Sequence, residues 1–227
     1  MKPNISVNFA VIYTAMSRIL ESCCTSLPQV LAACSGGASR IELCERIELG
    51  GITPSEDNIR ACVAAGLPVN VLVRPRGGNF VFTPQEEQCM LRDIDMCRET
   101  GAAGVVIGAL MENGDVDIAM MRRLIARARG AEGERSLSVT FHRAFDECRD
   151  PFSALEDIIS LGCDRLLTSG QEASAQEGME LISALVRRAE ERIIIMPGAG
   201  ITPANLDLIE KTTGAVEFHG TRICSSK

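Results

Sequence analysis

The chain has 227 residues, 46% of them hydrophobic and 23% charged, with a formal net charge of −7. This composition excludes a disordered chain, and the acidic balance excludes a general nucleic-acid binder, which needs a basic face. The ten cysteines make up about 4% of the chain, below the roughly 8% that marks a disulfide scaffold, and no CxxC pair suggests a zinc finger. Scattered through apolar patterns, they suit reduced thiols packed in a cytoplasmic protein. Residues 1–17 read as an N-terminal extension of unknown role. Their uncharged stretch, 3–17, is too short to span a bilayer and only weakly resembles a signal peptide.

The first β-rich run, 18–23, carries Glu21 and Cys23 and is followed by a helix over 27–34 that opens on Ser26 with Pro28 in its first turn. Strand 40–44 alternates Ile41 and Leu43 with Arg40, Glu42 and Cys44, and helix 56–65 follows. Strand 68–74 runs into Arg74-Pro75-Arg76-Gly77-Gly78 before helix 84–100, which Thr83 caps. Next come strand 104–108 and helix 117–129. Strand 137–142 leads into His142-Arg143-Ala144-Phe145-Asp146 and a helix over 151–161 capped by Asp150. Strand 164–168 ends in Thr168-Ser169-Gly170 before helix 173–190. Strand 192–196 ends in Pro197-Gly198-Ala199-Gly200 before helix 203–211, opened by Thr202-Pro203. The last strand, 216–219, holds Glu217 and His219.

Eight strands alternating with crossover-length helices predict an α/β fold, a single (β/α)8 TIM barrel over 18–227 that lacks its last outer helix. A doubly wound open sheet fits less well, because Cys23-Cys24-Thr25-Ser26 stands where a Gly-rich dinucleotide loop would follow strand 1. Without an eighth helix, the seam between strands 8 and 1 needs cover from the N-terminal segment or another subunit.

Successive strand side chains alternate between faces. The aliphatic face should meet the outer helices, which turns Glu21 and Cys23, Glu42 and Cys44, Asn70 and Arg74, Thr140 and His142, and Glu217 and His219 into the lumen. Active sites in this architecture lie at the C-terminal strand ends. There His142, with Asp146 to orient it, is the acid–base candidate, and Glu21 and Glu42 are further proton-transfer groups. Arg74 and Arg76, Thr168 and Ser169, the Gly198 and Gly200 turn, and His219 form a candidate grip for an anion such as phosphate or carboxylate. The alternatives are structural: Arg74 bridging to Glu21 or Glu42, Asp146 closing a loop, and glycines serving turn geometry. Cys23 and Cys44 fall on one face of neighbouring strands, where two thiols can share a soft ion such as Cu(I), form a disulfide, or pack as free thiols.

Six segments resemble the copper homeostasis protein CutC family: Arg40-Ile41-Glu42-Leu43-Cys44, Gly50-Gly51 with Thr53-Pro54-Ser55, Arg74-Pro75-Arg76-Gly77-Gly78, Val139 through Asp146, Leu167-Thr168-Ser169-Gly170, and Glu217-Phe218-His219. The resemblance implies a cytosolic, copper-handling TIM barrel that forms dimers or larger homo-oligomers, with Cu(I) ligands at Cys23 and Cys44. It departs from the family pattern at Ser22 and Thr25, at Gly220-Thr221, and in the near absence of the segment that follows strand 8. Two functions are expected: a cytoplasmic copper homeostasis protein binding Cu(I) through thiolates, or an enzyme acting on a small phosphorylated or carboxylated metabolite.

Overall fold

The apolar–polar alternation of the strands is resolved as sheet faces in the computed structural model, which describes residues 18–224; the extension 1–17 lies outside the described residues. The strands are β1 (Ile19–Cys24), β2 (Arg40–Leu43), β3 (Val69–Leu72), β4 (Gly104–Ile107), β5 (Ser138–Phe141), β6 (Arg165–Thr168), β7 (Ile194–Pro197) and β8 (Glu217–Gly220). Between them run α1 (Leu27–Ser35), α2 (Glu56–Val63), α3 (Pro84–Glu99), α4 (Ile118–Arg129), α5 (Pro151–Ser160), α6 (Met179–Ala189) and α7 (Leu206–Thr213). All ladders are parallel, in the order β7-β6-β5-β4-β3-β2-β1-β8. The result is a nearly closed (β/α)8 barrel with seven α-helices among the described residues.

Each strand falls within two residues of its predicted bounds. Helix starts are less faithful. Helix α6 begins at 179 rather than 173, because Ser169 and Gln171 are tied to Asp146 and the chain crosses a turn before Gly178. Helix α7 begins at 206 rather than 203: the Asn205 side chain accepts from the Thr202 N–H, closing a turn where the proline was expected to start the helix. Thr83 and Asp150 do act as caps. Thr83 forms a capping box with Glu86, and Asp150 accepts from the amides of Phe152 and Ser153.

The main core lies between strands and helices, as the alternation requires. Ile41, Leu43, Val71, Val105, Ile107, Val139 and Phe141 are fully buried on the outer face. A second small apolar cluster, Cys44, Leu72 and Val106 with Cys23 packed on it, lies separately from that core. Strands β1 and β8 are hydrogen-bonded partners, so the seam is a regular ladder. Beside it, Arg18 pairs with Asp207 at 2.7 Å and Glu210 at 2.5 Å on α7, and Phe218 and Ile223 are buried. The ladder break lies instead between β7 and β8. No described helix is long and apolar enough to cross a membrane.

Candidate functional site

Because β1, β2 and β8 are adjacent, their inward residues meet even though they are nearly 200 positions apart in the chain. The register sets Glu21 beside both Arg40 and His219, and Cys23 beside Glu42. Glu21 is wholly buried and accepts from Arg40 Nε, Asn70 Nδ2 at 3.1 Å and His219 Nδ1 at 3.0 Å. Arg40 also donates to Glu217 at 2.6 Å, and Arg165 reaches the same carboxylate at 2.8 Å. The floor of the barrel is thus an interlocked set of charges in which each carboxylate has a cationic partner.

His219 sits above this floor with Nδ1 at 3.0 Å from Glu21 and Nε2 at 3.2 Å from Glu42. Both ring nitrogens face carboxylates, and only the imidazolium can donate to both. Burial disfavours that charge, but Glu42 and Glu21 outweigh it and raise the His219 pKa above the ordinary histidine value. Burial also dominates at Glu21, yet hydrogen bonding from His219 and the charge of Arg40 hold its carboxyl down at about 2. Glu42 moves the other way: burial, with Glu21 nearby, raises it against the pull of His219. Acid, base and shared proton therefore meet at one point.

Across the barrel, on the far side of β5, His142 is 4% exposed and its Nδ1 accepts from the Ala144 N–H at 3.1 Å. The proton of the neutral ring is thereby placed on Nε2, which has no hydrogen-bond partner among the described residues. Burial first, and the nearby Arg74 charge second, push the His142 pKa down to about 3. Its neutral form contributes stability that is complete above about 6.5 and is lost as pH falls toward 3, at up to about 1.4 kcal/mol per pH unit. Urea unfolding of wild type and His142→Gln between pH 7 and 4 isolates this contribution. Wild type is expected to lose stability relative to the variant as pH falls, and a constant difference would contradict the assignment.

Gly108 explains how the ring is placed. A Cβ at that position would lie 2.5 Å from His142 Nδ1 and 2.6 Å from Cε1, so the imidazole occupies the space a side chain would fill. Gly108→Ala is expected to displace the ring and cost about 1–3 kcal/mol of stability by overpacking, measured by chemical denaturation. A variant as stable as wild type with His142 unmoved would refute that.

A cavity of about 290 Å³ joins these groups, lined among others by Cys23, Cys44, Glu42, Arg74, His142 and His219. The two thiols are free, with Cys23 Sγ 3.8 Å from Cys44 Sγ. The Cys44 hydrogen bond, burial and the Glu42 charge raise the Cys23 thiol well above the usual range. Cys23, Glu42 and His219 also bring one ligand atom each within 4.8 Å of one another.

The remaining candidates divide. Glu21 lies beneath the cavity rather than on its wall, and Gly200 is on the rim with Ala199. Asp146 makes no hydrogen bond to His142. Its carboxylate accepts from Thr168 Oγ1 at 2.5 Å, Ser169 Oγ at 2.9 Å and the amides of Ser169 and Gln171, and pairs with Arg143 at 2.7 Å. Asp146, Thr168 and Ser169 thus lock the β6 loop to the β5 loop instead of forming a dyad or an anion grip. Arg76 is also withdrawn: it pairs with Glu86 at 2.5 Å and donates to the carbonyls of Gly77, Asn79 and Val81, away from the cavity. The Gly198 amide is taken by the Thr168 carbonyl at 2.8 Å, so the expected anion cradle is not open there. Arg74 bridges neither Glu21 nor Glu42; Arg40 does that work at Glu21. Sequence reasoning missed Gly108, Phe80 and Arg143. Phe80 sits in a loop and Arg143 opens a short 3-10 turn, neither with a periodic signal, whereas Arg40 shared the parity of Glu42 and was legible.

A model of the CutC family matches residues 18–224, the whole described barrel. The chain belongs to the CutC family. A CutC family protein of Parabacteroides distasonis is 52% identical over 206 residues, covering 90% of this chain and 82% of that relative. One from Xanthomonas campestris is 50% identical over 204 residues, covering 89% and 82%. A solved structure from Streptococcus agalactiae, described as a copper homeostasis protein CutC, superposes with a TM-score of 0.84 at 33% identity, covering 91% of this chain and 99% of that one. A 2,3-dimethylmalate lyase matches at a TM-score of 0.67 with 14% identity, over 90% and 76%, a likeness of fold alone.

Proposed function

We propose that this chain is a cytoplasmic copper homeostasis protein that holds Cu(I) between the thiolates of Cys23 and Cys44. The observation that carries the reading is the 3.8 Å approach of two free sulfurs on neighbouring strands at the barrel mouth. Soft thiolates select Cu(I) over hard cations, and the adjoining Leu72 and Val106 make the surroundings apolar. Ten cysteines without a disulfide support a reducing compartment. Both thiols must lose their protons on binding, so uptake releases protons and weakens as pH falls. Glu42 and His219 beside Cys23 offer a harder, mixed donor set, which makes zinc the relevant competitor. Anaerobic titration against a Cu(I) chelator, with and without zinc, tests the reading. It expects one tightly held Cu(I) per chain that zinc does not displace; a chain that leaves all its copper with the chelator would overturn it.

A second reading, an enzyme acting on a small phosphorylated or carboxylated metabolite, is favoured by one arrangement. An imidazolium held between two carboxylates shares the cavity with a neutral imidazole whose Nε2–H is free to donate, pairing a proton-transfer group with a hydrogen-bond donor for the substrate. Turnover of such a metabolite, abolished in His219→Asn, would support it. Unchanged turnover in that variant would remove the proton-transfer role.

A further inference from the structure

The wall of the cavity holds two buried side chains, Arg74 and His142, each with a donor that has nothing to donate to. Arg74 is 5% exposed, and its two terminal nitrogens are spent on backbone carbonyls: Nη1 on Gly50 and Gly51 at 3.1 Å each, Nη2 on Gly78 at 2.5 Å. Its Nε has no partner among the described residues, nor does Nε2 of His142. No carboxylate takes a hydrogen bond from the Arg74 guanidinium: its bonds go to backbone carbonyls, and Glu147 acts on it only through space. A buried cation without a hydrogen-bonded counter-charge is costly. Phe80 packs against both groups, its ring centroid 4.6 Å from Arg74 Cζ and 4.9 Å from the His142 ring. All three residues line the cavity.

We propose that Arg74 Nε and His142 Nε2 form an oxyanion subsite that seats the carboxylate or phosphate group of a small metabolite, with Phe80 yielding to admit it. An oxyanion supplies the two missing acceptors and the missing counter-charge together, which a water molecule cannot do. Several features of the wall fit such a donor pair. The carbonyl bonds fix the guanidinium. The Ala144 amide fixes the tautomer that makes Nε2 the donor. Gly108 leaves room for the ring. At about 290 Å³ the cavity restricts the ligand to a small molecule, and its other end would lie against Glu42 and His219. The subsite supplies the anchor that the enzymatic reading needs, yet binding is independent of turnover. Its two donors, Arg74 after β3 and His142 after β5, are not among the copper ligands Cys23 and Cys44, so the subsite can be tested apart from the copper reading.

The chain contains two histidines, so imidazole ¹⁵N resonances can be assigned and followed in the metal-free protein. Adding inorganic phosphate or malonate is expected to shift the His142 Nε2 signal saturably while Nδ1 keeps its acceptor signature. A response to phosphate alone assigns a phosphorylated ligand, and a response to malonate alone assigns a carboxylated one. Calorimetry with the responding anion is expected to show binding weakened at least about tenfold in His142→Phe, the loss of one charge-assisted hydrogen bond. If neither anion moves the His142 Nε2 signal of the wild-type protein, the subsite does not exist.

Discussion

Replacing Cys23 and Cys44 together with serine is expected to weaken Cu(I) binding by more than about 100-fold, since losing even outer-shell partners of a metal site costs 10–100-fold. Serine keeps the size of cysteine but offers a hard hydroxyl that stays protonated at neutral pH, so both soft donors vanish at once. The Cys44→Ser single variant should retain part of the affinity, because Cys23 keeps His219 and Glu42 as neighbours. Cys44 is buried at 2% exposure within a small apolar cluster, so its serine variant also buries a hydroxyl, at a cost of about 1–3 kcal/mol if it finds no partner. Circular dichroism and urea unfolding separate that cost from lost binding. Chelator competition is the readout, and equal affinity in the double variant and wild type would end the thiolate assignment.

Glu21→Gln is expected to destabilise the barrel by about 3–5 kcal/mol, the range for removing one partner of a buried ion pair. The amide preserves shape and one acceptor, but three donors converge on Glu21: Arg40 Nε, Asn70 Nδ2 and His219 Nδ1. Arg40 keeps Glu217 alone, and His219 loses one of the two carboxylates that support its charge. The His219 pKa should therefore fall toward the ordinary value of 6.5, visible in an NMR titration alongside the lost unfolding free energy. A loss below about 1 kcal/mol, outside that range, with His219 unchanged would show that the floor network does not hold the site.

Strand parity made most of the cup legible. Ile41 and Leu43 had to face the helices, so Arg40, Glu42 and Cys44 had to face inward, and the same rule placed Glu21, Cys23 and His219. It also brought Cys23 near Cys44, since the register sets Cys23 opposite Glu42, two residues before Cys44 on the same face. What failed lay in loops, where partner choice depends on tertiary contacts without period. Asp146 stands four residues after His142, close enough in sequence to suggest a dyad, but the β6 loop offers it two hydroxyls and two amides, which solvate a carboxylate better than one imidazole could. Arg76 resembles Arg74 in sequence, yet the proline between them sends their guanidiniums to different neighbours: Glu86 and loop carbonyls for Arg76, the carbonyls of 50, 51 and 78 for Arg74. The seven outer α-helices among the described residues were legible in the sequence. That Arg18 would tie β1 to α7 was not, because a lone arginine before a strand carries no periodic signal.

X-ray absorption at the copper edge, on the protein loaded anaerobically with one equivalent of Cu(I), asks the most direct question of the site. Two sulfur neighbours in the first shell, reduced to none in Cys23→Ser/Cys44→Ser, are the expected result. A first shell of nitrogen and oxygen alone in the wild-type protein would contradict copper binding by the thiol pair.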